Sequence, residues 1–164
     1  MARKKKKQGT GTPTIENRRA RYDYEIGETL EVGIVLTGSE VKSVRDGKVS
    51  LQEGYVRVNP RVPRLILVGV NIAEYQPAGP ANHKPVHDRI LLAHNREIDK
   101  FASAVEQKGA TIVPLKMFFN DDGRIKLKIG VGVGRGQSDK RRAIGEREAR
   151  RDIERAMARG RIGR

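Results

Sequence analysis

The 164 residues predict a mainly β domain: a small closed antiparallel barrel with short flanking helices and a basic C-terminal tail. Short runs rich in β-branched and aromatic residues recur between turn signals, the pattern of strands joined by tight connections. Only one internal stretch sustains an apolar repeat of helical period over several turns. The net charge of +14 is concentrated at the ends: residues 1–21 carry +7, residues 135–164 carry +6, and residues 22–134 only +1. A nearly neutral folded body, residues 15–133, is therefore expected between a basic arm, 1–14, and a basic tail, 134–164.

The arm opens with Arg3, Lys4, Lys5, Lys6 and Lys7 and continues in Gly, Thr and Pro, too polar to pack and read as disordered. Arg18, Arg19 and Arg21 then set three guanidiniums within four positions, a compact candidate for phosphate. Residues 22–26 alternate as a half-buried strand, and Gly27-Glu28 is expected to turn the chain into a second strand, 29–36, which carries Glu31. Thr37 and Glu40 have the spacing of a capping box and predict a short helix. Val41 and Val44 are spaced to share its inner face, leaving Lys42, Ser43 and Arg45 to look outward, and Asp46-Gly47 ends it.

Extended structure resumes over residues 48–58, and a turn with two prolines at 59–63 leads to a buried strand at 64–70. Residues 74–89, with three prolines, His83 and His87, read as a long irregular loop. Ile98, Phe101, Ala102 and Val105 repeat at helical spacing, so residues 96–108 form the longest core helix, stopped by Gly109. Strands at 111–119 and 124–131 flank an Asp-Gly hairpin signal; in the second, Ile125, Leu127, Ile129 and Val131 alternate with Arg124, Lys126 and Lys128, giving one core face and one cationic row. Gly130, Gly132, Gly134 and Gly136 suggest a flexible exit from the barrel. Ser138 can cap a final segment of strong helix formers with a thin apolar face, expected to order on a polyanionic surface.

Several function classes are excluded by absence. Without cysteine there is no disulfide framework and no thiolate metal site, which fits a reducing, cytoplasmic setting. No apolar run approaches the roughly 20 residues that span a bilayer, and the basic start lacks a signal-peptide core, so a soluble chain is expected. His83, His87 and Asp88 could ligate a metal on a helix, but the prolines around them argue against one. The glycine run fits neither Walker spacing nor a dinucleotide fingerprint, and no nucleophile or metalloprotease motif is present. Polycationic ends instead favour a polyanion through counterion release, and neither end has the bulky apolar face of a membrane-surface helix. Nucleic acid is the expected partner, bound without catalysis.

Short antiparallel strands, one core helix and a cationic strand row suit a barrel of oligonucleotide-binding (OB) type, and here the residues resemble a known family. The blocks are Asn17-Arg18-Arg19-Ala20-Arg21 with Tyr24 and Ile26; Glu31 with Gly33; Gly38-Ser39-Glu40-Val41-Lys42-Ser43 with Arg45; Gly47-Lys48; Tyr55-Val56; Leu91-Leu92; Arg96-Glu97; Val113-Pro114-Leu115; Lys126 with Lys128; and Asp139-Lys140-Arg141. In this order they resemble the SmpB family, the SsrA-binding proteins that partner bacterial transfer-messenger RNA. The resemblance implies an OB-type barrel that binds this RNA and delivers it to stalled 70S ribosomes, with elongation factor Tu in the delivery complex and no cofactor. It places Asn17, Glu31, Lys126 and Leu92 on the RNA-binding face, with Tyr24 in a matching block. Asp139, Lys140 and Arg141 would begin the tail that enters the small-subunit decoding centre and the mRNA channel. Ser138 stands where the family usually has His or an aromatic residue, and Gly136 where it has Lys. The competing expectation is a ribosomal or general structured-RNA-binding protein using the same barrel.

Overall fold

The computed structural model describes residues 11–59 and 61–160; the arm up to residue 10, Pro60 of the proline turn and the last four residues lie outside the described residues. The elements are β1 (Ile15–Glu16), α1 (Ala20–Asp23), β2 (Tyr24–Ile34), α2 (Gly38–Arg45), β3 (Val49–Ser50), β4 (Tyr55–Asn59), β5 (Arg64–Val68), β6 (Asn71–Ile72), a 3-10 turn (Gln76–Ala81), β7 (Arg89–Leu92), α3 (Asn95–Lys108), β8 (Thr111–Phe119), β9 (Ile125–Gly134) and α4 (Gln137–Gly160). The expected mainly β architecture is present as a large antiparallel sheet with short helices. Its order is β1-β8-β4-β5-β7-β2-β9, with a further β8–β9 pairing that brings the last strand back to the second. β3 and β6 form a separate two-stranded ribbon.

The core is filled by the inward members of alternating strands: Val32, Leu65, Leu67, Leu91, Ile112, Met117, Leu127 and Ile129. Ile98 and Phe101 of α3 join it, as the helical repeat requires. At the start of α3 the Glu97 carboxylate accepts from the His94 N–H at 2.9 Å, and Gly109, at φ +55°, ends the helix in the left-handed region.

Four expectations are corrected. Residues 22–26 are not a separate strand, because Tyr22 and Asp23 close α1, and Gly27-Glu28 does not turn the chain. β2 instead runs through them, and the irregularity is absorbed by a register shift against β9 between Ile26 and Thr29. The capping box forms, with the Thr37 N–H donating to Glu40 at 2.8 Å, but Ser43 does not face outward. The inner arc of α2 is Glu40, Ser43 and Val44, spaced i, i+3, i+4, and Val41 is only half-buried. Arg89 belongs to strand β7 and is buried with Leu91, while Ile90 and Leu92 alternate outward. Gly130 and Gly132 are no flexible exit: they lie inside β9, where an added Cβ would come within 2.9 Å of Ile26 and Leu115 at one position and of Tyr24 at the other.

Candidate nucleic-acid interface

Asn17 fixes the first piece of the site. Its side-chain amide donates to the carbonyls of Leu51 (3.0 Å) and Pro114 (2.9 Å), and its carbonyl oxygen accepts from the Ala20 N–H at 3.0 Å. The backbone N–H of Asn17 reaches Leu115 O at 2.8 Å. The residue is buried, so its polar groups are satisfied within the chain and the four-residue α1 is pinned to β8. The arginines projecting from this turn do not act as one cluster. Arg18 and Arg21 line a groove along β8 and β9, whereas Arg19 pairs with Asp23 (3.1 Å) and Glu53 (3.6 Å) beside a separate recess.

The floor of the groove is set by strand register. Glu31 of β2 lies opposite Lys128 of β9, Lys128 opposite Lys116 of β8, and Lys116 opposite Glu16 of β1. The next row runs Leu92, Gly33, Lys126, Phe118 across β7, β2, β9 and β8. Leu92 is 57% exposed and leans over Gly33, where an added Cβ would stand 3.2 Å from that of Leu92. The Lys116 ammonium lies 5.4 Å from the centre of the Phe118 ring, a cation–π contact. Glu16, Asn17, Arg18, Arg21, Glu31, Leu115, Lys116, Phe118 and Lys128 enclose about 500 Å³. A second recess, sharing Arg21, Leu115 and Lys128, continues the groove past Tyr24 and Thr29 to Arg135. The result is a cationic channel with aromatic surface and two exposed carboxylates, Glu16 at its edge strand and Glu31 opposite Lys128. Cations can neutralise phosphates, rings can carry unstacked bases, and a carboxylate can accept from base amino groups.

The structure brings Arg18, Arg21, Glu31 and Lys128 into this channel, with Lys126 and Leu92 on the adjoining row. It sets Lys42 and Arg45 apart, exposed on α2, which packs on β6; Ser43 of the same helix is buried and its hydroxyl has no partner among the described residues. Lys116, Phe118 and Arg135 were not singled out from the sequence. Lys116 and Phe118 alternate along β8 and Arg135 follows the end of β9, positions that become specific only once the pairing of those strands is known.

Behind α2 lies a polar network that sequence reasoning also missed. The Arg89 Nε donates to Glu40 Oε1 at 2.7 Å, and its terminal nitrogens donate to the carbonyls of Val70 (2.9 Å), His87 (3.1 Å) and Pro85 (3.1 Å). His87 Nε2 meets the same Glu40 oxygen at 2.7 Å. Burial by itself pushes the Glu40 carboxyl up, but hydrogen bonds from the Thr37 N–H, Arg89 and His87 outweigh it and hold the group below the ordinary glutamate range. His83 donates from Nε2 to Ile72 O (3.0 Å) and accepts from the Ser39 hydroxyl at Nδ1 (2.9 Å). The imidazoles thus tie the proline-rich segment to α2, and no group of side chains suited to a metal occurs among the described residues.

The tail leaves the body at Arg135, whose N–H donates to Asp23 O at 2.9 Å, and α4 touches α1. α4 begins at Gln137, so Ser138 falls inside its first turn, and Asp139 and Arg141 are exposed on it, with Lys140 between them. Ile144, Ile153 and Met157 are exposed, a sparse apolar set for a helix of 24 residues.

Residues 14–159 match a family model described as SmpB protein. The chain is 48% identical to an SsrA-binding protein of Anaeromyxobacter sp. (strain K) over 145 residues, 88% of this chain and 87% of that protein. It is 48% identical to an SsrA-binding protein of Parvibaculum lavamentivorans over 154 residues, 93% of each. Among solved structures it resembles a chain described as "tmRNA-SmpB: a journey to the center of the bacterial ribosome", with a TM-score of 0.65 and 43% identity, covering 81% of this chain and 95% of that one.

Proposed function

The chain belongs to the SmpB family, and from that membership we propose that it works in trans-translation by binding transfer-messenger RNA, the SsrA RNA. The observation that carries this reading is the groove beneath α1, where Arg18, Arg21, Lys116 and Lys128 surround Glu31 on a sheet face bearing Phe118. Cations alone would hold any RNA. An exposed carboxylate within them repels phosphate and rewards a correctly placed base amino group, so Glu31 serves discrimination.

The strand circuit β8-β4-β5-β7-β2-β9 supports reading the sheet as a closed OB-type barrel, with this groove on its outer surface. Tyr24 and Leu92 extend the platform at its two ends, and Asn17 holds Arg18 and Arg21 in place rather than meeting the RNA itself. Arg19, Lys42 and Arg45 add phosphate contacts outside the groove, and Ser43 supports α2 from within. The tail, from Asp139, Lys140 and Arg141 onward, engages the decoding centre of a stalled 70S ribosome, and elongation factor Tu accompanies the complex. The protein acts in the cytoplasm as a binding module, with no catalytic residue. No described helix is long and apolar enough to cross a membrane.

The test is a comparison of affinities for transfer-messenger RNA and for structured RNAs of equal length, at one physiological salt concentration. A preference of roughly tenfold or more for transfer-messenger RNA is expected, reduced by Glu31→Gln. Equal affinities would leave only a general structured-RNA binder.

A further inference from the structure

The recess at the junction of β9 and α4 is lined by three cations and no acidic residue. Arg21, Lys128 and Arg135 line one recess together with Tyr24, Ile26, Gly27, Thr29 and Leu115, and none of these is acidic. None of the three cations has an ion-pair partner among the described residues. The Nε of Arg135 is buried and has no hydrogen-bond partner there. A buried guanidinium N–H without an acceptor is costly, and side chains retained in that state commonly await one. A planar fork with adjacent point charges matches a phosphate group better than any neutral ligand.

We propose that Arg135, with Arg21 and Lys128, is a binding site for a backbone phosphate of the RNA held in the adjoining groove, and that filling it fixes the direction in which α4 leaves the body. The two recesses share Arg21, Leu115 and Lys128, so a strand lying on the Glu31 row continues into this one without a break. Arg135 is already held on the body side by its N–H bond to Asp23 O, and α4 starts two residues later. A phosphate gripping its side chain would hold the root of the helix from both sides. The inference rests on the RNA-binding reading above and adds to it a contact that joins RNA binding to the tail.

The chain has no cysteine, so Ala149→Cys on the exposed side of α4 accepts a single fluorophore. With the labelled full chain, affinity for transfer-messenger RNA is measured across a salt series, and dye anisotropy at RNA saturation, for Arg135 and for Arg135→Gln. The expected result is an affinity about tenfold lower in the variant, a salt slope smaller by about one, and loss of most of the RNA-induced rise in anisotropy. Arg135→Lys should restore the slope but not the full affinity, which separates a phosphate contact from a folding defect. An unchanged affinity and slope in Arg135→Gln would overturn the site; a reduced slope with an unchanged anisotropy rise would overturn the link to α4. If the unsubstituted chain itself failed to prefer transfer-messenger RNA over matched RNAs, the fault would lie in the functional reading and not in this contact.

Discussion

Glu40 serves three structural elements with one carboxylate. It caps α2 through the Thr37 N–H, neutralises the buried Arg89 of β7, and receives His87 from the proline-rich segment. Its folded pKa is depressed, so the stability it contributes is complete above the unfolded-state value and is lost as pH falls through the folded one. Glu40→Gln leaves the Arg89 charge buried without its counterion and should cost about 3–5 kcal/mol at neutral pH. Urea unfolding of both proteins from pH 7 down to pH 3 checks this: the advantage of the native residue should shrink with acidity, and a constant gap would refute the assignment. Asn17 shows the same economy. Its amide is engaged on both sides within the chain, so it frames the turn that carries Arg18 and Arg21.

β9 decides how much of the rest could be read in advance. Its alternation placed Leu127 and Ile129 inward and the Lys126–Lys128 row outward, and the capped α2 and the apolar repeat of α3 were legible for the same reason: each pattern is local and periodic. What failed was set by partners distant in sequence. The unbroken β2 depends on a register shift that β9 accommodates, and Ser43 faces inward because Glu40 turns α2 toward Arg89. Lys116, Phe118 and Arg135 join the candidate site only through the pairing of β8 with β9 and the β9–α4 junction. The glycines of β9 make a direct test. Gly132→Ala puts a methyl group 2.9 Å from Tyr24 Cβ and should destabilise by about 1–3 kcal/mol, whereas Gly134, with nothing within 4 Å, should tolerate Ala almost without effect. Equal unfolding midpoints for the two variants would show that the strands separate freely there.

At the scale of the whole molecule, charge is separated from the sheet that carries Glu31. Residues 22–134 are nearly neutral and supply Glu31, Lys116 and Lys128 of the groove, while Arg18, Arg21 and Arg135 come from the two ends, where almost all of the +14 lies. On the reading proposed above, long-range attraction would come from the ends and choice among RNAs from Glu31 and its neighbours. Ending the chain after Gly136 removes α4 and leaves the groove intact. Affinity for all RNAs should fall together, the preference for transfer-messenger RNA should persist, and peptide tagging on stalled ribosomes should be lost. Tagging by the shortened chain would place the ribosomal role elsewhere.

The pairing of β1 with β8 has a kinetic consequence. Ile15 and Glu16 fasten the chain at the rim of the groove, so the lysines that precede them in sequence are covalently tied to that rim. A short tether gives such charges a local concentration on the order of millimolar. On the reading proposed above, recapture by those charges should lengthen the residence of a bound RNA without adding to the selectivity of the site.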